Sequence, residues 1–288
     1  MFFMQRDEVE VEADGGVTLF VRDCRPDERT LPAVDSTRTL VWVHGLGEHG
    51  GRYLHVADDL VERGWRVILL DLRGHGRSTG SRTHVASFDE YVADVARVWM
   101  RFKLGSGRAA LGSHSMGGLV ALRAVQTGRI FPSALVLSSP LLGVKARVSR
   151  LKRWLGRALV NFIPEARFRN GLDPRNMTHD EEFARQRRED PLIVRTVTAS
   201  WFFAMEAAIA QAHRDAGQVA VPILALQGLS DVTTDGDVLS NWLAKTTSVA
   251  KELVSLPDHV HELLHESDWL ETLDRIVEWL ERTGAARV

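Results

Sequence analysis

The chain has 288 residues, 44% hydrophobic and 26% charged, and 36 basic against 38 acidic side chains leave a net charge of −2. That balance gives no global sign of nucleic-acid binding, though local charge is read separately, and no uncharged run reaches the roughly 18 apolar residues of a membrane-spanning helix. The length suits one domain carrying an insertion, or two modest domains. The opening MFFMQRDEVEVE turns acidic too soon for a secretory signal. The single cysteine, Cys24, can form neither an internal disulfide nor a Cys/His zinc ribbon, and reads as a free thiol in a strand of a cytoplasmic protein.

Near the start, VEVEADGGVTLFVRD alternates apolar and polar residues around Asp14-Gly15, the pattern of a β-hairpin. The rhythm then changes to short apolar runs, TLVWVHG, RVILLDL, RAALGSH, ALVLSSP, VPILALQG and KELVSLP, most of them separated by helical periodicity. This predicts an α/β fold, a mostly parallel central sheet with helices on both faces. A helix from Ser87 to about Lys103 opens on a capping box, Ser87 with Glu90, and sets Tyr91, Val95, Val98 and Phe102 on one face.

Between Pro140 and about Gly217 no strand pattern is evident, only helical and charged segments. The expected organisation is therefore a core of 1–140 and 217–288 with a helical cap, 141–216, over the C-terminal edge of the sheet, where open α/β sheets place their sites. Within that cap, residues 145 to 169 carry eight basic side chains against one acid, Glu165, and Val144, Val148, Leu151, Leu155, Leu159 and Phe162 share a helical stripe. A basic amphipathic helix of this kind suits peripheral contact with an anionic membrane, or simple packing on the core.

The chemistry gathers at the strand ends. GSHSMGG, 112–118, follows an apolar run and precedes the helical GGLVALRAVQTG, the strand-turn-helix setting of a nucleophile elbow, with Ser115 at its centre and Ser113 where glycine is usual. A serine needs a base, and the base needs an acid. Asp231 stands just past VPILALQG, whereas Asp235 and Asp237 suit the start of the next helix. His259, His261 and His265 follow KELVSLP, and His261, placed at the start of the final helix, is the expected base. Ser115, Asp231 and His261 stand in the α/β-hydrolase order, and the N–H groups of Leu46, in VHGLGEHG, and Met116 are candidates for an oxyanion hole. The Gly74-x-Gly76 turn lacks the third glycine and the acid of a dinucleotide site.

VHGLGEHGGRY, DLRGHGRSTGSR, HSMGG, GLSDVTT and HELLHE together resemble the monoacylglycerol lipase and lysophospholipase-like branch of the α/β-hydrolases, also grouped as serine aminopeptidase-like hydrolases. The resemblance covers nearly all the core and is loose in the cap. It implies Ser115 as nucleophile, Asp231 as acid, His261 as base, the Leu46 and Met116 amides as oxyanion hole, no cofactor, and a small lipid or ester substrate. Members take monoacylglycerols, lysophospholipids and other carboxylic esters. Two rival readings exist. His261-Glu262-Leu263-Leu264-His265 is a literal H-E-x-x-H, the zinc-peptidase pattern, with Glu278 or Glu281 as a third ligand. The other is a hydrolase fold reused for ligand binding without catalysis.

Overall fold

The computed structural model describes residues 4–27, 38–145, 160 and 162–284. The first two strands, β1 (Met4–Ala13) and β2 (Val17–Pro26), form the expected antiparallel hairpin. They are joined by β3 (Thr39–Val43), β4 (Arg66–Leu70), β5 (Ala110–His114), β6 (Leu135–Ser138), β9 (Ile223–Gly228) and β10 (Lys251–Leu256). The resulting eight-stranded sheet has the order β1-β2-β4-β3-β5-β6-β9-β10, antiparallel at β2–β4 and parallel from β4 to β10. From β3 the chain steps outward to β4 and then crosses to β5 on the other side. Loops leaving adjacent strands therefore diverge there, and a crevice opens at the C-terminal ends.

The buried parallel strands are apolar on both faces because successive side chains point to opposite sides. Val41, Val43, Ile68, Leu70 and Ala225 enter one core with helices α2 (Asp89–Arg101), α3 (Met116–Gln126), α5 (Ala199–Arg214) and α6 (Gly236–Ala244). Leu40, Trp42, Val67, Leu69 and Leu226 enter a second core with α1 (Leu54–Glu62) and α7 (Trp269–Arg282). The product is a three-layer α/β/α sandwich. Cys24 lies buried in β2 as a free thiol. Half of the expected capping box forms: Glu90 Oε1 accepts from Ser87 N at 3.0 Å, but Ser87 Oγ takes Asp89 N at 3.2 Å, Glu90 N bonds to Ser87 O, and α2 begins after Phe88. Among the described residues no helix is long and apolar enough to cross a membrane.

The segment 141–216 departs from the all-helical expectation. It contains α4 (Glu181–Glu189) and α5, but also a small antiparallel ribbon, β7 (Arg167–Arg169) with β8 (Thr196–Thr198). Thr196-Val197-Thr198 is β-branched throughout, and Thr198 Oγ1 accepts from Trp201 N at 3.2 Å, which ends the strand and caps α5. Thr83 anchors the ribbon to the core by donating to Thr196 O at 2.6 Å. Most of the predicted basic helix, 146–159 and 161, lies outside the described residues, and Arg167–Arg169 are extended rather than helical.

The final helix also starts later than expected. His261 and His265 precede α7, and only Leu263–His265 make a single 3-10 turn. The local backbone is engaged elsewhere: Glu262 N donates to Met177 O at 2.7 Å, and His265 O accepts from Thr178 Oγ1 at 2.5 Å.

Candidate active site

Ser115 joins β5 to α3 with φ 52° and ψ −116°, a strained backbone for a residue with a side chain. The strain is held on both sides, since Ser115 N donates to Ser138 O and Ser115 O accepts from Gly118 N and Leu141 N. A Cβ at Gly117 would stand 2.3 Å from Val43 O, so the helix start can approach β3 only with glycine there. Ser113 is accommodated at the position where the elbow pattern has glycine. Its hydroxyl is buried and donates to Val136 O at 3.1 Å on the neighbouring strand.

His261 Nε2 accepts from Ser115 Oγ at 2.9 Å, and its Nδ1–H donates to Asp231 Oδ2 at 2.8 Å. The three residues come from the ends of β5, β9 and β10, which parallel pairing brings to one edge. Asp231 also receives Thr234 Oγ1 at 2.6 Å and Gln227 Nε2 at 3.1 Å on Oδ2, and Thr233 N at 2.7 Å on Oδ1. Burial alone would raise its pKa. The His261 bond, with the Thr234 and Thr233 donors, overcomes that and holds the carboxyl well below the usual range. Asp235 does what its position suggested: its Oδ1 accepts from Asp237 N and Val238 N and caps α6.

Two backbone contacts fix acid loop against base loop. Ser230 N donates to His259 O at 3.1 Å, and a Cβ on Gly228 would fall 2.2 Å from Val260 O.

The turn after β3 passes directly against this group, for a Cβ on Gly45 would stand 3.2 Å from Ser115 Cβ. His44 secures the turn as a neutral ring: Nδ1–H donates to Gly45 O at 2.7 Å and Nε2 accepts from Leu72 N at 3.0 Å. Burial favours that neutral form by lowering the pKa. Glu48 Oε1 accepts from Gly45 N at 2.6 Å. Leu46 N, the next amide, and Met116 N, at the first position of α3, have no hydrogen-bond partner among the described residues. Beside them His114 packs its ring 4.7 Å from that of His261, and burial together with His261 pushes its pKa down to about 4.

The H-E-x-x-H residues do not converge. On an α-helix, histidines four apart share a face, but this stretch is not α-helical, and His265 Nε2 points to Arg52 O at 3.1 Å while His261 faces Ser115. Glu262 is bound by Arg52 and Arg187. Among the described residues no group of three His, Cys, Asp or Glu side chains is arranged to hold a metal. Sequence reading missed Glu48, Arg52 and Arg187, whose partners lie up to 210 residues away. The only available signal was the run of polar residues in GEHGGRY.

The profile of the family described as "Serine aminopeptidase, S33" matches residues 35–268. The chain is 28% identical to phospholipase YtpA of Bacillus subtilis, over 80% of this chain and 89% of that one. It is 29% identical to the monoacylglycerol lipase of Mycolicibacterium smegmatis, over 96% and 97% of the two chains. The crystal structure of Paleococcus ferrophilus monoacylglycerol lipase superposes with a TM-score of 0.79 at 27% identity, covering 86% of this chain and 97% of the other. With a family match spanning most of its length and the sheet order given above, the chain belongs to the serine aminopeptidase, S33 family of α/β-hydrolases.

Proposed function

We propose that this protein is a serine hydrolase of carboxylic esters, acting on monoacylglycerols or lysophospholipids through an acyl-enzyme. The observation that carries this reading is the continuous chain Ser115 Oγ, His261, Asp231, with links of 2.9 and 2.8 Å, on a strained turn at a helix N-terminus. Relatives named as a phospholipase and a monoacylglycerol lipase support the substrate class.

Ser115 Oγ attacks the ester carbonyl carbon as its proton passes to His261 Nε2, and Asp231 stabilises the imidazolium. The Leu46 and Met116 N–H groups receive the oxyanion, charge that develops only in the transition state. Collapse breaks the acyl C–O bond, and the alcohol leaves with the proton from His261. Water, deprotonated by His261, then attacks the acyl group. The bond to Ser115 Oγ breaks as His261 returns the proton to it, and the carboxylic acid departs and ionises in solution.

Segment 141–216 serves as the cap. Phe162, 84% exposed, Ile163 and Phe168 are exposed apolar side chains close in sequence to Arg167 and Arg169, and this mix of apolar and basic residues supports peripheral contact with anionic lipid.

The test is a hydrolysis screen over acyl length with glycerol, phosphoglycerol and simple alcohol leaving groups, run beside Ser115→Ala. A serine-directed phosphonate should label Ser115 and stop turnover, and a strong chelator should leave it unchanged. Chelator inhibition reversed by Zn²⁺ and abolished by His265→Ala would replace this reading with the zinc-peptidase one.

A further inference from the structure

Glu262, the residue after His261, is 2% exposed. Its Oε1 accepts from Arg52 Nη1 at 3.0 Å and Arg187 Nη1 at 2.7 Å, and its Oε2 from Arg52 Nη2 at 2.7 Å. Arg52 Nη1 also reaches Glu48 Oε2 at 2.5 Å, and Glu48 Oε1 takes Gly45 N and Tyr53 OH. Two carboxylates and two guanidiniums thus form one buried, neutral chain that joins the turn carrying Leu46 to the loop carrying His261.

Three of the four charges belong to the core. The fourth, Arg187, arrives from α4, a helix whose other arginine pairs, such as Arg185 with Glu182 and Glu189, lie on the surface. Arg187 is 5% exposed and makes its ion pair with Glu262. Without it Glu262 and Glu48 would share Arg52 alone, leaving one negative charge unbalanced in a water-poor region, where a carboxylate is costly to bury unpaired. An apolar side chain would fill the place without that desolvation, so the guanidinium has work to do for Glu262.

We propose that Arg187 is a positioning residue for the base: it closes the Glu262–Arg52–Glu48 network, fixes the residue after His261, and keeps the buried charge of this loop balanced. The inference rests on His261 serving as base to Ser115. Asp231 from the acid loop and His114 from β5 touch His261 itself, while Tyr53 and His55 pack on His265 of the same loop and Glu266 accepts from Val260 N. Burial works against the charged form of Glu262, but attraction to Arg187 and Arg52 outweighs it and holds the carboxyl well below the usual range. Loss of Arg187 would leave one unbalanced negative charge at the residue next to the base.

The acid limb of kcat/KM reports the base of the free enzyme, so it reads this charge directly. Arg187→Met should move the limb up by about one pH unit, the scale of a single uncompensated buried charge. Glu262→Gln, which leaves a net positive charge, should move it down. The double variant, neutral again, should return it to the wild-type position, and Arg187→Lys should stay there as well. If Arg187→Met does not fold, Glu262→Gln against the double variant reads the same balance. A limb that stays put in every variant while kcat falls, or a double variant that keeps a shift, would overturn the proposal. Full activity in Ser115→Ala would instead remove the reading of the site beneath it.

Discussion

Ser113 and Ser115 stand two residues apart at the end of one strand, yet their hydroxyls have opposite fates: Ser113 Oγ is spent on Val136 O at 3.1 Å, and Ser115 Oγ faces His261 Nε2 at 2.9 Å. Ser115→Ala should therefore lower kcat/KM by about 10⁴-fold or more. Ser113→Gly should keep activity within a few-fold while costing about 1 kcal/mol of stability, from chain entropy and one lost hydrogen bond. Ester hydrolysis and urea unfolding on the same preparations separate the two. Equal loss of activity in both folded variants would reassign the nucleophile.

Asp231 and Asp235 are close in sequence and differ in partner, one bound to His261 and the other to the amides of α6. Asp231→Asn leaves His261 in the wrong tautomer and should reduce kcat by about 10⁴-fold. Asp235→Asn, still able to cap a helix, should change neither activity nor melting temperature appreciably. A larger activity loss at Asp235 would contradict the assignment.

His75 is fully buried, donates from Nδ1 to Arg73 O at 2.9 Å, and has its pKa pushed down to about 3 by burial and by neighbouring His44. The folded value lies below the unfolded one, near 6.5. The stability of the neutral ring is thus complete above about pH 6.5 and is lost as pH falls toward the folded value, by up to roughly 1.4 kcal/mol per pH unit. Denaturant unfolding between about pH 4 and 6 should show a slope flatter by nearly that amount in His75→Asn, whose side-chain amide can replace the ring donor. Parallel slopes would mean that His75 is protonated in the folded protein.

The proposed membrane contact through segment 141–216 is tested by co-sedimentation. Binding should rise with the anionic lipid content of vesicles and fall with salt. Replacing Arg147, Arg150 and Arg153 with Gln should weaken it about 100-fold at low salt, at roughly 1 kcal/mol for each cation near the surface. Negligible binding to neutral and anionic vesicles alike would leave the cap a structural cover.

The sheet and the proposed Ser115–Asp231–His261 group were readable from sequence for one reason: each functional side chain sits at the end of a short apolar run, and parallel pairing brings those ends together. What was not readable depends on distant partners. Three-residue strands such as Arg167–Arg169 are too short for alternation to show, and their pairing needs Thr196–Thr198 beyond α4. Glu262 looked like a metallopeptidase glutamate because the pattern is local, while the arginines that define its role lie 75 and 210 positions away.

The backbone contact at Gly228 has a mechanical consequence. With Val260 O so close to its Cα and Ser230 N bonded to His259 O, the loops bearing Asp231 and His261 form one stiff body. Thermal flexing at this edge of the sheet then carries both side chains together, and the 2.8 Å link between them varies less than the gap to Ser115 on the far side of β6. Heat should therefore disengage the nucleophile before it parts acid from base.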